Sequence, residues 1–103
     1  MFATDATRHY CDRAVERALP RRIELFLRTW GTETWAAGAL QITLVRNELP
    51  PELRETREAR LAEDWILVAG DNGALVTCYR RRDAWRFIQR KQQRPWRRQR
   101  ARP

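Results

Sequence analysis

Histidine and lysine each occur once in this chain, and cysteine occurs twice. A structural zinc site needs about four Cys or His ligands at close spacing, and His9, Cys11 and Cys78 do not supply them; on a helix, His9 and Cys11 point different ways. Cys11 and Cys78 are far apart in sequence and each is expected on an apolar face, so two buried, reduced thiols are expected rather than a disulfide. Asp71-Asn72-Gly73 lacks the further spaced carboxylates of a calcium loop. No metal and no other cofactor is therefore expected. No apolar run approaches the roughly 20 residues of a membrane span, and Met1 to Arg8 lacks the basic-then-apolar layout of a secretory signal. A cytoplasmic protein with no membrane partner is expected. There is no internal repeat, and 103 residues leave room for one core only.

What is present is a folding composition with a lopsided charge. The chain is 43% apolar, contains five Trp and carries a net charge of +8, more hydrophobic than a disordered chain. Residues 1–79 hold ten Arg against twelve Asp or Glu, whereas residues 80–103 hold ten Arg and one Lys against Asp83 alone. The basicity belongs to the C-terminal quarter. Arginine suits bidentate phosphate contacts, although a GC-rich coding genome also displaces lysine by arginine without functional cause.

Local patterns predict an α+β domain over 1–94, followed by a flexible basic tail over 95–103. Asp5 is expected to cap a first helix reaching about Leu19, with Tyr10, Cys11, Ala14, Val15, Ala18 and Leu19 as its apolar arc. Pro20 is expected in the first turn of a second helix that turns Ile23, Phe26, Leu27 and Trp30 inward and stops at Gly31. Leu40 to Leu44 alternates like a strand with one buried face, and Trp35 is placed on a paired strand before it. After Pro50-Pro51, the Glu/Arg-rich stretch 52–64 reads as a solvated helix or a connector. Trp65 to Ala69 and Ala74 to Tyr79 flank Gly70-Asp71-Asn72-Gly73, the clearest hairpin signal in the chain. Val76 and Cys78 are expected on one face of the second strand, with Leu75, Thr77 and Tyr79 on the other. Asp83 is expected to cap a last helix with Trp85 and Ile88 facing inward.

Two sets of residues stand out functionally. Arg82, Arg86, Arg90 and Arg94 recur every four residues, and like charges at that spacing repel, so an external anion is the natural compensation. Together with Arg80, Lys91, Trp96, Arg97 and Arg98 they form a candidate nucleic-acid-binding surface, near Trp85 and Phe87, which are rings suited to stacking on unpaired bases. The second set is His9, Arg13 and Arg17, four apart along the margin of the first helix, with Thr77 and Tyr79 beside arginines on the last strand. Cleavage of RNA through its own 2′-hydroxyl needs a proton acceptor, a proton donor and cations on the phosphate, roles open to His, Arg and Tyr. The plainer reading of each is a structural histidine, solvated arginines and an ordinary strand face.

The order of these features resembles the small domain-of-unknown-function proteins of the barnase/EndoU/colicin/RelE ribonuclease superfold. The likeness rests on the His9/Arg13/Arg17 helix, the Pro-started second helix ending at Gly31, and the Gly73-Ala74-Leu75-Val76-Thr77-Cys78-Tyr79 run, and it spans about Thr7 to Arg82. It implies two N-terminal helices packed on a small antiparallel sheet; the C-terminal basic helix, read from the local pattern, lies beyond the likeness. It further implies a metal-independent ribonuclease of toxin type, from a phage or other mobile element. In that reading His9 is a general base or acid, Arg13 and Arg17 stabilise phosphate charge, and Thr77 and Tyr79 position substrate or donate a proton. The expected partner is nucleic acid, RNA in preference to DNA. The alternatives are a non-catalytic binder of nucleic acid or of a nucleoprotein complex, and a basic tail that pairs with an acidic protein such as an antitoxin.

Overall fold

A computed structural model describes residues 6–90. The expected cap at Asp5, the tail, and the binding residues Lys91, Arg94, Trp96, Arg97 and Arg98 lie outside the described residues. Helix α1 spans Arg8–Glu16 and α2 Arg21–Trp30; strands β1 (Thr32–Ala36) and β2 (Ala39–Thr43) follow, then two short 3-10 turns and α3 (Arg57–Ala62). Strands β3 (Trp65–Ala69) and β4 (Leu75–Arg80) complete a four-stranded antiparallel sheet in the order β1-β2-β3-β4. A further helix, α4, occupies 84–90. The expected α+β architecture, with N-terminal helices on a small antiparallel sheet, is the one observed. No helix among the described residues is long and apolar enough to cross a membrane.

The start of α1 is set by Thr7 and not by the expected Asp5: the Thr7 hydroxyl accepts the Tyr10 N–H at 3.1 Å while the Thr7 N–H donates to the Leu75 carbonyl at 2.8 Å. One residue thereby satisfies a helix N-terminus and ties it to the outer edge of β4. The helix ends earlier than its apolar pattern suggests. Ala18 takes a left-handed φ of 57°, the Ala18 N–H reaches Val15 O, and the Leu19 N–H reaches Ala14 O at 3.0 Å. This is a Schellman closure with alanine where glycine is usual. The following Pro20 biases Leu19 away from the helical region, which makes an early stop necessary. Pro20 itself stands just outside α2 as its N-cap rather than in its first turn.

Only one line of α1 faces the sheet. Tyr10 is buried and Ala14 partly so, but Cys11 is exposed and Val15 is 81% exposed. The expectation that Cys11 is buried is thus corrected. A nine-residue helix laid along an edge strand covers it with about one residue per turn, so the wider apolar arc finds nothing to pack on. Gly31 ends α2 with an extended backbone, φ −69°. It is needed for space: a Cβ there would collide with the Leu27 carbonyl oxygen and meet Ile42 Cγ2 at 2.6 Å.

Strands β1 and β2 are joined by Ala37 and Gly38, both at positive φ, the type I′ geometry that suits a twisted hairpin. The β3–β4 hairpin has the expected turn, closed by Gly73 N–H to Gly70 O and by Asn72 Oδ1, which accepts the Ala74 N–H at 3.0 Å. A register shift at Val68/Ala69 inserts one extra residue into β4. Leu75 and Cys78 consequently join the core beneath α1 to α3, while Val76 and Tyr79 join the opposite one. This corrects the simple alternation expected for that strand.

Two cores flank the sheet, which corrects the expectation of a single one, and together they explain why all five residues of β3 are buried. On one face Tyr10, Ile23, Leu27, Ile42, Leu67 and Cys78 cluster with Leu49, Ala59 and Ala62. On the other, Ile66, Val68 and Ala36 meet Ala84 and Ile88 of α4. Residues 52–64 are therefore not a loose connector, since α3 delivers Ala59 and Ala62 to the first core. Gln41 and Thr43, expected on a solvated face, are buried, and Gln41 donates to the Ala36 carbonyl at 3.1 Å. In α4 the inward residues are Ala84 and Ile88, with Trp85 only half-buried, which corrects its expected position.

Exchanging glycine and alanine at the two helix ends should have opposite effects. Ala18→Gly removes left-handed strain and is expected to raise unfolding free energy by about 1 kcal/mol. Gly31→Ala forces a clash between α2 and β2 and is expected to lower it by about 1–3 kcal/mol. Urea denaturation followed by tryptophan fluorescence reads both, and two shifts of the same sign would contradict this account.

Candidate nucleic-acid interface

The arginines divide into two populations. In the body of the domain many are engaged, Arg13 with Glu16 at 3.0 Å, Arg28 with Glu24 at 3.0 Å, and Arg60 with Glu55 at 3.3 Å, whereas Arg8, Arg21, Arg22 and Arg57 are exposed and scattered, with no carboxylate within 4.0 Å among the described residues. Arg46 forms a two-point contact with Glu63, at 2.7 and 3.1 Å, and Glu63 holds its guanidinium above the ordinary value. Arg54 donates to the carbonyls of Leu49 and Asn47. Arg80, Arg82, Arg86 and Arg90 are all exposed, and none has a carboxylate within 4.0 Å among the described residues. Arg81 lies over the Phe87 ring, 3.9 Å from its centroid. Phe87 in turn meets Tyr79 edge-on at 6.4 Å. This aromatic pair fastens the arginine-bearing segment to the sheet.

The four-residue stripe of arginines is shorter than expected. Helix α4 begins at 84, and Asp83 before it has a φ of 55°. Arg82 is thus turned off the helical path, and among the described residues only Arg86 and Arg90 of the stripe share a face by helical spacing. Asp83 acts at the helix start through its backbone, its carbonyl accepting the Phe87 N–H at 3.1 Å. No hydrogen bond from a helix N–H to its carboxylate occurs among the described residues, so the side-chain cap expected from sequence is replaced by a backbone contact.

The five candidate catalytic residues fall into two places. His9 is exposed, and its Nε2 accepts a long hydrogen bond of 3.4 Å from Arg13 Nε. Arg17 reaches across to the Cys78 carbonyl at 2.9 Å, so it serves as a strut between α1 and β4. Tyr79 belongs to the core under α4, across the sheet from the core that holds Tyr10. Thr77 pairs with Val68 of that same α4-side core and is half-buried. The structure therefore brings together His9 with Arg13, and Tyr79 with Phe87, with Tyr79 in the core across the sheet from the one that Tyr10 joins. Among the described residues no group of three His, Cys, Asp or Glu side chains is arranged to hold a metal ion.

Pattern reading missed a cleft of about 270 Å³ at the root of α4, lined by residues 44–47, 63–64 and 83–86. It is assembled from three chain segments that converge only in the fold. Backbone hydrogen bonds from Arg81 N–H to Asp64 O at 2.7 Å and from Ala84 N–H to Glu63 O at 3.3 Å hold two of those segments together. Nothing in any one segment announces it, apart from the placing of Trp85 next to Arg86.

Two further groups have altered acidity. Burial, followed by the neighbouring Glu24 charge, pushes the Tyr10 phenol well above its usual range, so Tyr10 stays neutral inside the core. Burial also pushes up the Cys78 thiol, although Arg17 opposes it. Comparison with known protein families, curated proteins and solved structures finds no match to this chain.

The thiols give a direct check on the two faces of α1. With Ellman's reagent at pH 8, one thiol per folded chain is expected to react rapidly and the second only on denaturation. Cys11→Ser should remove the fast phase. Equal reaction of both thiols in the folded protein would place α1 wrongly.

Proposed function

We propose that this chain binds nucleic acid, single-stranded RNA in preference to DNA duplex, through the exposed arginines of residues 80–90, without cutting it. The observation that carries this reading is the clustering of exposed arginines within residues 80–90. Acidic side chains and carbonyls occupy many of the guanidinium groups in the body, while Arg80, Arg82, Arg86 and Arg90 stand exposed on a folded surface without carboxylates. Surface ion pairs contribute little to stability, so ample acid elsewhere in the chain brings no gain in neutralising them from within. A polyanion does so with release of its condensed counterions. The half-exposed Trp85 beside Arg86 favours unpaired bases, which offer a ring face that a duplex conceals. The resemblance to ribonuclease-superfold proteins supports RNA as the polymer. The packing of Tyr79 against the α4-side core, while His9 is exposed on α1, favours binding over cleavage, because a phosphate-sized site requires acid, base and cation within hydrogen-bond reach.

Fluorescence anisotropy with a labelled 20-nucleotide single-stranded RNA, in chelator and from 50 to 200 mM salt, tests the reading. Binding should weaken linearly on a log–log salt plot. Replacing Arg82, Arg86 and Arg90 together by Ala should lower affinity at least tenfold at low salt and reduce the slope by about 2. Arg21→Ala with Arg22→Ala, on the far helix, serves as the control and should change neither. Binding that ignores salt, or that survives the triple substitution, overturns the assignment. Running the same mixtures on a denaturing gel addresses catalysis: RNA should stay intact, and fragments that disappear with His9→Ala would replace a binder with a metal-independent ribonuclease.

A further inference from the structure

The cleft at the root of α4 is chemically unlike the surface around it. Glu63, Asp64 and Asp83 contribute three carboxylates to its lining, against the guanidinium groups of Arg46 and Arg86. Arg46 is already engaged two-point by Glu63 and stiffens the wall. The side chains of Asp64, Asp83, Asn47 and Arg86 make no hydrogen bond or ion pair among the described residues. Residues with unengaged side chains, Asp64 and Asp83 among them, thus line a concavity beside a basic surface, together with the half-exposed Trp85. Carboxylates there oppose a bare polyphosphate, and the flanking Arg80, Arg82, Arg86 and Arg90 oppose a simple cation. The combination suits a ligand that is donor-rich at one end and anionic at the other.

We propose that the cleft receives one unpaired guanine of a bound strand. This rests on the nucleic-acid reading above and adds a base preference to it. The volume of about 270 Å³ equals that of roughly nine waters at ~30 Å³ each, enough for one ring system. It falls below the ~300–1,000 Å³ typical of sites for larger ligands. An ionised carboxylate only accepts hydrogen bonds, and its two oxygens match two adjacent donors. Guanine alone among the four bases presents such a pair, N1–H beside N2–H. Adenine and cytosine set an acceptor nitrogen next to the amino group, and uracil flanks its single N–H with carbonyl oxygens, so each of these turns a lone pair toward the carboxylate. Asp64 or Asp83 reads that edge, Trp85 stacks on the ring, and Arg86, which belongs to both the cleft and the arginine surface, meets the phosphate of the same nucleotide. The remaining arginines hold the strand on either side.

The test uses the full chain and four labelled RNA nonamers, U9 and the same strand with a central G, A or C, at 100 mM salt in chelator. The G probe should bind about tenfold or more tighter than U9, A or C, the discrimination expected of one two-point base contact. Asp64→Asn and Asp83→Asn, made separately, and Trp85→Leu should bring the G-to-U9 ratio toward one for Trp85 and for whichever aspartate reads the base. Asparagine tolerates the backbone of Asp83, and each variant's urea midpoint confirms folding. If all four probes bind the wild type equally, the base pocket is overturned while the basic surface stands. If none binds, the binding reading fails and this one with it. A G preference that persists in both Asn variants also overturns the proposal, because the guanine would be read elsewhere. Free 5′-GMP is run as competitor: it should displace the G probe only at far higher concentration than an unlabelled G strand. Displacement at matching concentrations would overturn strand binding in favour of a free-nucleotide site.

Discussion

A four-stranded sheet with apolar residues on both faces has to be covered on both, and the rest of this structure follows from how that requirement is met. Strand β3, Trp-Ile-Leu-Val-Ala, is buried along its whole length. The N-terminal helices and α3 cover one face, leaving Ile66, Val68 and Ala36 of the other in need of a lid. Only residues after β4 remain to supply one. Those residues are the most basic part of the chain, so the segment that closes the second core also carries the exposed arginines. Ala84 and Ile88 face inward, and Arg82, Arg86 and Arg90 remain outside.

That arrangement settles an electrostatic conflict by geometry. Burying an unpaired guanidinium is far more costly than leaving it in water, so the lid needs a narrow apolar stripe and an open outer face. A two-residue stripe spaced by four, with Phe87 tucked under Arg81 and against Tyr79, is enough to seat it. Repulsion among the outer arginines is not relieved by an ion pair among the described residues, where Glu16, Glu24, Glu55 and Glu63 pair with Arg13, Arg28, Arg60 and Arg46. The exposed guanidinium groups accordingly give this face a positive field.

Much of the architecture was legible in local pattern. The Gly70 to Gly73 turn between two β-rich runs placed the second hairpin, Gly31 placed the end of α2, and the alternation after Leu40 placed β2. Other features were not legible, each for a physical reason. The Ala37-Gly38 turn lacks the Asn-Gly or Asp-Gly signature, because two strands already paired can hold a single alanine at positive φ. The early end of α1 depends on the hydrogen bonds of Ala18 and Leu19, which periodicity does not encode. Cys11 and Val15 belong to a helical apolar arc yet face solvent, since the edge strand beneath is too narrow to cover them. The bulge in β4 sends Leu75 to one core and Tyr79 to the other, and so decides which candidate site residues share a face with α1.

By itself, the sequence determined composition-level and local matters: one α+β domain, its hairpins and helices within a few residues, and a basic C-terminal quarter. These depend on side-chain size, charge and backbone preference over a few neighbouring positions. Only the tertiary structure decided which groups meet. It placed Tyr79 in the core across the sheet from the one that Tyr10 joins, made Arg17 a strut on the Cys78 carbonyl, and assembled a cleft from residues 44–47, 63–64 and 83–86. Such meetings join positions tens of residues apart, and their geometry is set by register, bulge and two-sided burial, which no local pattern carries.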